Sequence, residues 1–131
     1  MVSKIRQRIA REEKGFTLIE LLVVIIIIGI LLAIAVPSYL GFKDRASDAA
    51  AKANVRAAIP AVESYAADND GYVGMDVAAL KLIDAGLASD LTVGTVSATS
   101  YCIEAGSAGH EHFYQIGAGA NNGAVTAGSC A

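Results

Sequence analysis

The chain has 131 residues, a length that suits one small domain rather than two. Hydrophobic residues make up 54% of it, but most large aliphatic side chains lie within residues 16–36, so any core built from the remainder is small and rich in Ala. Ten Lys and Arg against thirteen Asp and Glu leave a net charge of −3, which argues against strong generic binding to a nucleic-acid backbone. Binding of nucleic acid by a local basic patch on an assembled surface stays an open alternative.

Residues 1–15 are charged and lack apolar periodicity, which is typical of a leader rather than of a folded element. They carry five basic and two acidic side chains, and basic residues before an apolar run stay on the cytoplasmic side of a membrane. The composition changes abruptly between Gly15 and Phe16. A second candidate processing site is Ala33-Ile34-Ala35, where cleavage would leave a chain that begins near Val36.

The next segment, residues 16–36, has Glu20 as its single charge. As a helix it spans roughly 30 Å, the thickness of the hydrocarbon layer. Many of its residues are β-branched, but in a bilayer a helix is the one single-segment solution that satisfies every backbone group. Gly29 and Pro37 predict a kink. An acid at the centre of a membrane helix costs about 2.5–3.5 kcal/mol and less near an end, so we expect Glu20 to be unmatched within the monomer and to need a partner.

From residue 38 the pattern becomes that of an amphipathic helix. Apolar residues recur at steps of three and four, at Val55, Ala58, Ile59, Val62 and Ala66. No loop signal separates this segment from the apolar run, so the sequence predicts one long helix over residues 17–67, bent at Pro60. Asp48 and Lys52 have the spacing of a favourable ion pair along a helix.

Turn residues 68–71 end this helix. Asp76 is expected to cap a short helix from Val77 to Ala85, with Gly86 just past its end. Strands are expected at residues 91–97, 100–104, 113–116 and, as a possible fourth, around 124–127. The fold class is therefore α+β: a long kinked N-terminal helix, with a transmembrane half and an amphipathic half, packed against a small antiparallel sheet of three or four strands.

The two cysteines are Cys102 and Cys130. If residues 16–36 enter the membrane with the basic end inside, both lie outside the cytoplasm, where a disulfide is favoured. The alternative is a pair of free thiols in a cytosolic protein, which the apolar segment disfavours.

Two polar clusters invite a metal interpretation. His110 and His112 would supply an incomplete ligand set, and a loop leading into a strand is the favoured interpretation. Asp68, Asn69, Asp70 and Asp76 lack the final Glu of an EF-hand, so a solvated turn and a helix cap are favoured. We expect no metal site and no cofactor, and no catalytic constellation can be assembled, so an enzyme is not expected.

The string KGFTLIELLVVIIIIGILLAIAVPSYL resembles the N-terminal signature of type IV pilins and their pseudopilin relatives over about residues 14–45. It combines a basic leader that ends in Gly, Phe at the first mature position, Glu at the fifth, an apolar run and then Pro. The resemblance implies a cleaved leader at residues 1–15, a transmembrane and filament-core half-helix at 16–37, and a globular head at 38–131 that includes the amphipathic half-helix.

The resemblance also implies a role for each motif residue. Gly15 would be the last leader residue, cut by prepilin peptidase on the cytoplasmic face, and Phe16 would become the N-methylated terminus. Glu20 would pair with the N-terminal amine of a neighbouring subunit during assembly. Cys102 and Cys130 resemble the pair that closes the C-terminal loop of the family.

The implied function is that of a structural subunit of a type IV pilus, used in motility, adhesion or DNA uptake. Its partners would be other copies of itself, prepilin peptidase, the assembly machinery and, before assembly, membrane lipid. It would be a single-pass plasma-membrane protein with a cytoplasmic N-terminus and then part of a pilus on the cell surface. One alternative is a pseudopilin of a type II secretion system, over which the paired cysteines favour a pilus subunit. Another is a membrane-tethered binding or enzymatic domain that never polymerises.

Overall fold

The computed structural model describes residues 15–117 and 123–130, so most of the predicted leader, residues 1–14, lies outside the described residues. The chain divides into two compact units, one ending at Leu40 and one beginning at Gly41. One helix, α1 (Leu18–Asn69), contributes to both units and has 52 residues. The predicted long helix is therefore confirmed, with bounds within two residues of those expected.

The first part of α1 is apolar on every side. All side chains from residue 18 to residue 46 are exposed, including Leu18 at 82% and Ile34 at 71%. Its mean hydropathy reaches 3.3, so by length and composition it is able to cross a membrane. The helix runs without interruption through Pro37 and Pro60. The kink at Gly29 and Pro37 and the bend at Pro60 stay predictions.

The second part of α1 is amphipathic. One face is buried within the second unit, at Ala51, Val55, Ala58, Ala61 and Val62. All of them except Ala51 belong to one apolar cluster with Leu80, Leu91, Tyr101 and Ile103, so this stripe of small and branched side chains forms the helical side of the core.

The helix ends in a turn, at which Asp70 adopts a left-handed conformation (φ 56°) and the Gly71 N–H donates to the Ala66 carbonyl oxygen at 3.1 Å. The short helix α2 (Val77–Ile83) follows, and its predicted cap is confirmed, since Asp76 Oδ1 accepts from the Ala79 N–H at 2.7 Å. The expected end at Ala85 with Gly86 beyond it is wrong. Asp84 is already extended (φ −136°), and its carboxylate accepts from the Gly86 N–H at 2.8 Å, which favours a turn over continued helix.

Four antiparallel strands form a sheet in the order β1-β2-β3-β4: β1 (Thr92–Val96), β2 (Tyr101–Ala105), β3 (His112–Ile116) and β4 (Val125–Ala127). Tyr101, Ile103 and Ala105 of β2 are buried in the core that α1 shares. Side chains alternate across a strand, so Cys102 and Glu104 point to the opposite face. The predicted α+β class with a small antiparallel sheet is confirmed.

Candidate functional site

The junction between Gly15 and Phe16 lies in a non-helical stretch just before α1. Phe16 is 84% exposed, and a Cβ built on Gly15 would meet no other described residue within 4 Å. Among the described residues, nothing therefore crowds this peptide bond on the side of Gly15.

The first turn of α1 is closed by reciprocal hydrogen bonds between Thr17 and Glu20. The Thr17 N–H and hydroxyl both donate to Glu20 Oε2, at 2.9 and 3.1 Å, while the Glu20 N–H donates to Thr17 Oγ1 at 3.2 Å. This is a capping box, in which two otherwise unpaired groups at a helix start satisfy each other. The T-x-x-E spacing is legible in the sequence and predicts this arrangement, but sequence reasoning assigned Glu20 only an intermolecular role.

The expectation that Glu20 is unmatched in the monomer is therefore wrong in one respect. Its carboxylate has hydrogen-bond partners within the chain, supplied by neutral donors of Thr17. Among residues 15–117 and 123–130 its charge has no cationic partner, because their ion pairs all involve His110. The hydrogen bonding of Glu20 is met locally, and no described cation neutralises its charge.

The second feature is the disulfide between Cys102 and Cys130, whose Cα atoms are 5.9 Å apart. It confirms the predicted pairing and joins β2 to the segment that follows β4. The Gly128 N–H donates to the Glu111 carbonyl oxygen at 2.9 Å, and the Cys130 N–H donates to Glu104 Oε2 at 2.5 Å. The segment after β4 is thereby held on the sheet face opposite the α1 core.

Gly94 of β1 makes room for this segment. A Cβ built on Gly94 would lie 2.6 Å from the Cβ of Cys130, far inside ordinary contact distance. Sequence reasoning missed both Gly94 and Glu104. Glu104 could have been found, because it lies two residues after Cys102 and so shares its face of the strand. No local signal marks Gly94, whose role depends on a residue far along the chain.

An aromatic and carboxylate cluster ties α1 to the rest of the head. Glu63 of α1 accepts hydrogen bonds from the hydroxyls of Tyr72 and Tyr101, each at 3.3 Å. The Tyr72 and Tyr101 rings lie with centroids 4.6 Å apart. Burial, helped by the nearby Glu63 charge, raises the pKa of both tyrosines above its ordinary value, and that of Tyr101 strongly. The cluster is a structural contact between helix, loop and sheet.

The two histidines do not share one environment. His110 places Nδ1 at 3.0 Å from Asp48 Oδ1 and Nε2 at 3.6 Å from Asp44 Oδ1. The expected Asp48–Lys52 pair is wrong, since Asp48 turns to the loop before β3 instead. His112 is buried, with Nδ1 3.4 Å from the His110 carbonyl oxygen. Across residues 15–117 and 123–130, no group of three or more His, Cys, Asp or Glu is arranged to hold a metal ion.

This architecture is that of pilin-like proteins. It combines one long helix, apolar all round at its start and amphipathic beyond, with a small antiparallel sheet and a disulfide that secures the segment after β4. The family described as the prokaryotic N-terminal methylation motif matches residues 10–36, which include the junction and the capping box.

Known relatives extend the match beyond this motif. The type IV wide pilus major component PilA4 of Thermus thermophilus is 41% identical over 101 residues, 76% of this chain and 77% of that protein. The type IV major pilin protein PilA of Myxococcus xanthus is 44% identical over 61 residues, 47% of this chain and 28% of that protein. The type II secretion system core protein G of Pseudomonas aeruginosa is 42% identical over 62 residues, 47% of this chain and 44% of that protein. The chain belongs to the type IV pilin and pseudopilin family.

Proposed function

We propose that this protein is a structural subunit that polymerises into an extracellular type IV pilus. The observation that carries the proposal is the match to a major pilus component over 76% of the chain, which extends well beyond the N-terminal motif. The exposed apolar part of α1 supports it, because such a surface requires lipid or neighbouring helices around it. The role is non-catalytic, and the pilus serves motility, adhesion or DNA uptake.

In this proposal the chain has three functional parts. Residues 1–15 are a leader that prepilin peptidase removes after Gly15, and Phe16 is then N-methylated. Residues 16–37 anchor the protein in the plasma membrane as a single span with a cytoplasmic N-terminus and later form the filament core. Residues 38–131 are the head, which reaches the cell surface when the assembly machinery transfers subunits from lipid into the filament.

A second candidate is a pseudopilin of a type II secretion system. It is favoured by the 42% identity to core protein G, which extends over 47% of this chain. The longer match to the pilus component favours the pilus, and so do the paired cysteines that secure the segment after β4. A membrane-tethered domain that never polymerises is the third candidate, and it would keep its leader or begin near Val36.

The first experiment compares cells with and without the gene by electron microscopy of surface filaments, and determines the N-terminus of the cellular protein by mass spectrometry. We expect filaments that require the gene and a chain that starts at methylated Phe16. Filament loss restricted to secretion-system pseudopili would favour the second candidate. A chain that starts at Met1 or Val36 would contradict the proposed processing. Gly15→Leu should leave uncleaved precursor in the membrane, because the peptidase needs close access to the backbone there.

The second experiment separates the two roles that the structure allows for Glu20. We propose that the Glu20 carboxylate pairs with the Phe16 amine of a neighbouring subunit. Glu20→Gln keeps a side chain able to complete the capping box but removes the charge. Thr17→Ala removes the cap and keeps the charge, at a cost of about 1 kcal/mol of local helix stability.

We expect both variants to insert and to be cleaved. Filaments should be lost in Glu20→Gln and largely kept in Thr17→Ala, since only the first removes the charge that meets an amine. If Glu20→Gln assembles normally while Thr17→Ala does not, then the carboxylate acts as a cap and the intersubunit pairing is wrong.

A further inference from the structure

The outward side of α1 within the head carries a line of cations. Arg45, Lys52 and Arg56 are spaced by seven and four residues, which places them along one side of the helix, and all three are exposed. We name these three residues the basic row. None of them has an ion pair or a side-chain hydrogen bond with another described residue, because Asp48, the carboxylate one turn from Lys52, contacts His110.

Small side chains lie next to the basic row. Ala49, Ala53 and Ala57 recur every four residues and are exposed, in contrast to Ala51, Val55 and Ala58, which are buried on the core side. The helix therefore offers an unpartnered side on which a protruding apolar group can approach the backbone closely, with positive charge along one border.

A protruding group with the opposite charge around it lies on the same head. Leu82 is 90% exposed and Ile83 is 42% exposed at the end of α2, and we name this pair the apolar tip. Asp76 and Asp84 flank α2 and are exposed as well. Over residues 68–90 the sequence carries five Asp against Lys81 as the single cation, so the segment that contains the apolar tip is acidic in composition.

We propose that the apolar tip of one copy of this chain docks against the alanines beside the basic row of the next copy, with the acids around α2 facing the cations of the row. The occupant is a second copy because one chain carries both complementary surfaces. The two surfaces are different patches of the same head, so the contact is heterologous. A heterologous contact that does not close into a ring propagates as a helical filament.

This inference deepens the proposed function and rests on it, since it names which parts of neighbouring heads meet. The apolar tip supplies the buried anchor, and the charges set orientation and exclude wrong registers. Packing of the apolar half-helices is non-directional. The proposed contact between heads adds a directional interaction to it.

The test is cross-linking of assembled filaments that carry Ala53→Cys and Leu82→Cys in the full chain, with a short bis-maleimide and non-reducing electrophoresis. Cys102 and Cys130 are joined to each other and do not react. The double variant should give a ladder of dimers, trimers and longer products, because the apolar tip of each copy contacts the alanines beside the basic row of the next copy. Each single variant should give no ladder.

A charge exchange provides the second readout. Lys52→Glu with Arg56→Glu should lower filament number about tenfold, because acids then face acids. Adding Asp84→Lys, which leaves the Asp76 cap of α2 in place, should restore filaments. Lys43→Glu, the same change on another side of α1, is the matched control and should leave filament number unchanged. Tyrosine near-UV circular dichroism verifies that each head is folded.

The outcomes are distinguishable from failure of the proposed function. A wild-type strain without gene-dependent filaments refutes the pilus proposal itself. Wild-type filaments with no ladder from the double variant overturn this contact alone. Dimers from Leu82→Cys by itself would show that two apolar tips meet each other, which also overturns it.

Discussion

Loss of the disulfide is the most quantitative test of how the head is stabilised. Cys102 and Cys130 are 28 residues apart in sequence, and in the chain-entropy model closing a loop of that length stabilises the folded state by about 3.6 kcal/mol. That is a large fraction of the stability of a small head whose core is built largely from Ala, Val and Leu. Cys130→Ala should therefore lower the free energy of unfolding by about 3.6 kcal/mol.

The assay is thermal unfolding of the full chain in detergent micelles, followed by the near-UV circular dichroism of the head tyrosines. For a head of this size the expected loss corresponds to a fall in midpoint of roughly 15–25 °C. Wild-type protein treated with a reductant should unfold at nearly the same temperature as Cys130→Ala. Ser129→Ala, an exposed neighbour in the same segment, is the control and should unfold like wild type.

A loss below about 1 kcal/mol would refute the entropy argument, because it would mean that the unfolded chain is already restricted without the covalent bond. An equal loss in Ser129→Ala would refute it in another way, by assigning the effect to local packing of the segment.

Three further predictions concern the head. Gly94→Val should block closure of the disulfide, since a Cβ there lies 2.6 Å from Cys130 Cβ, and thiol titration should find free cysteines; full oxidation would contradict the packing. Ile103→Ala removes a fully buried side chain and should cost about 2–5 kcal/mol in thermal unfolding, and a loss near zero would show that the core is not centred there. The pKa of Tyr72 and of Tyr101 is raised in the folded head, so the stabilisation from their neutral phenols is complete below pH about 10 and is lost as the pH rises further. An ultraviolet titration should show two tyrosines that ionise above the ordinary pKa of tyrosine, and the absence of this late ionisation would contradict the arrangement around Glu63.

Local patterns in the sequence predict much of this fold. The apolar run and the spacing of Val55, Ala58 and Val62 predict α1, because helix periodicity and membrane length are properties of a single segment. Asp76 predicts the start of α2, since a cap needs only the residues beside it. The sequence misplaces the end of α2. The Asp84 side chain accepts a hydrogen bond from the Gly86 N–H and so favours a turn at Asp84, whereas the position of Gly86 suggests that the helix ends later.

The remaining features depend on residues far apart in sequence. Asp48 could be assigned to Lys52 by spacing, but tertiary packing brings His110 to it across 62 residues of chain. Gly94 could not be interpreted until the segment after β4 was known to cross β1. Glu20 lies between these cases: the motif predicts its intermolecular role, the T-x-x-E spacing predicts its cap, and neither excludes the other.

The exposed apolar surface of α1 has a consequence for the direction of assembly. Acyl chains and the apolar helices of other copies are equally nonpolar surroundings, so moving this segment from lipid into a filament changes its transfer free energy little. The exchange is then close to balanced in both directions for residues 18–36. The free-energy difference between filament and bilayer must therefore come from the few polar groups at the start of the helix and from the heads. Small changes in those contacts are sufficient to decide whether a subunit stays in the filament or returns to the bilayer.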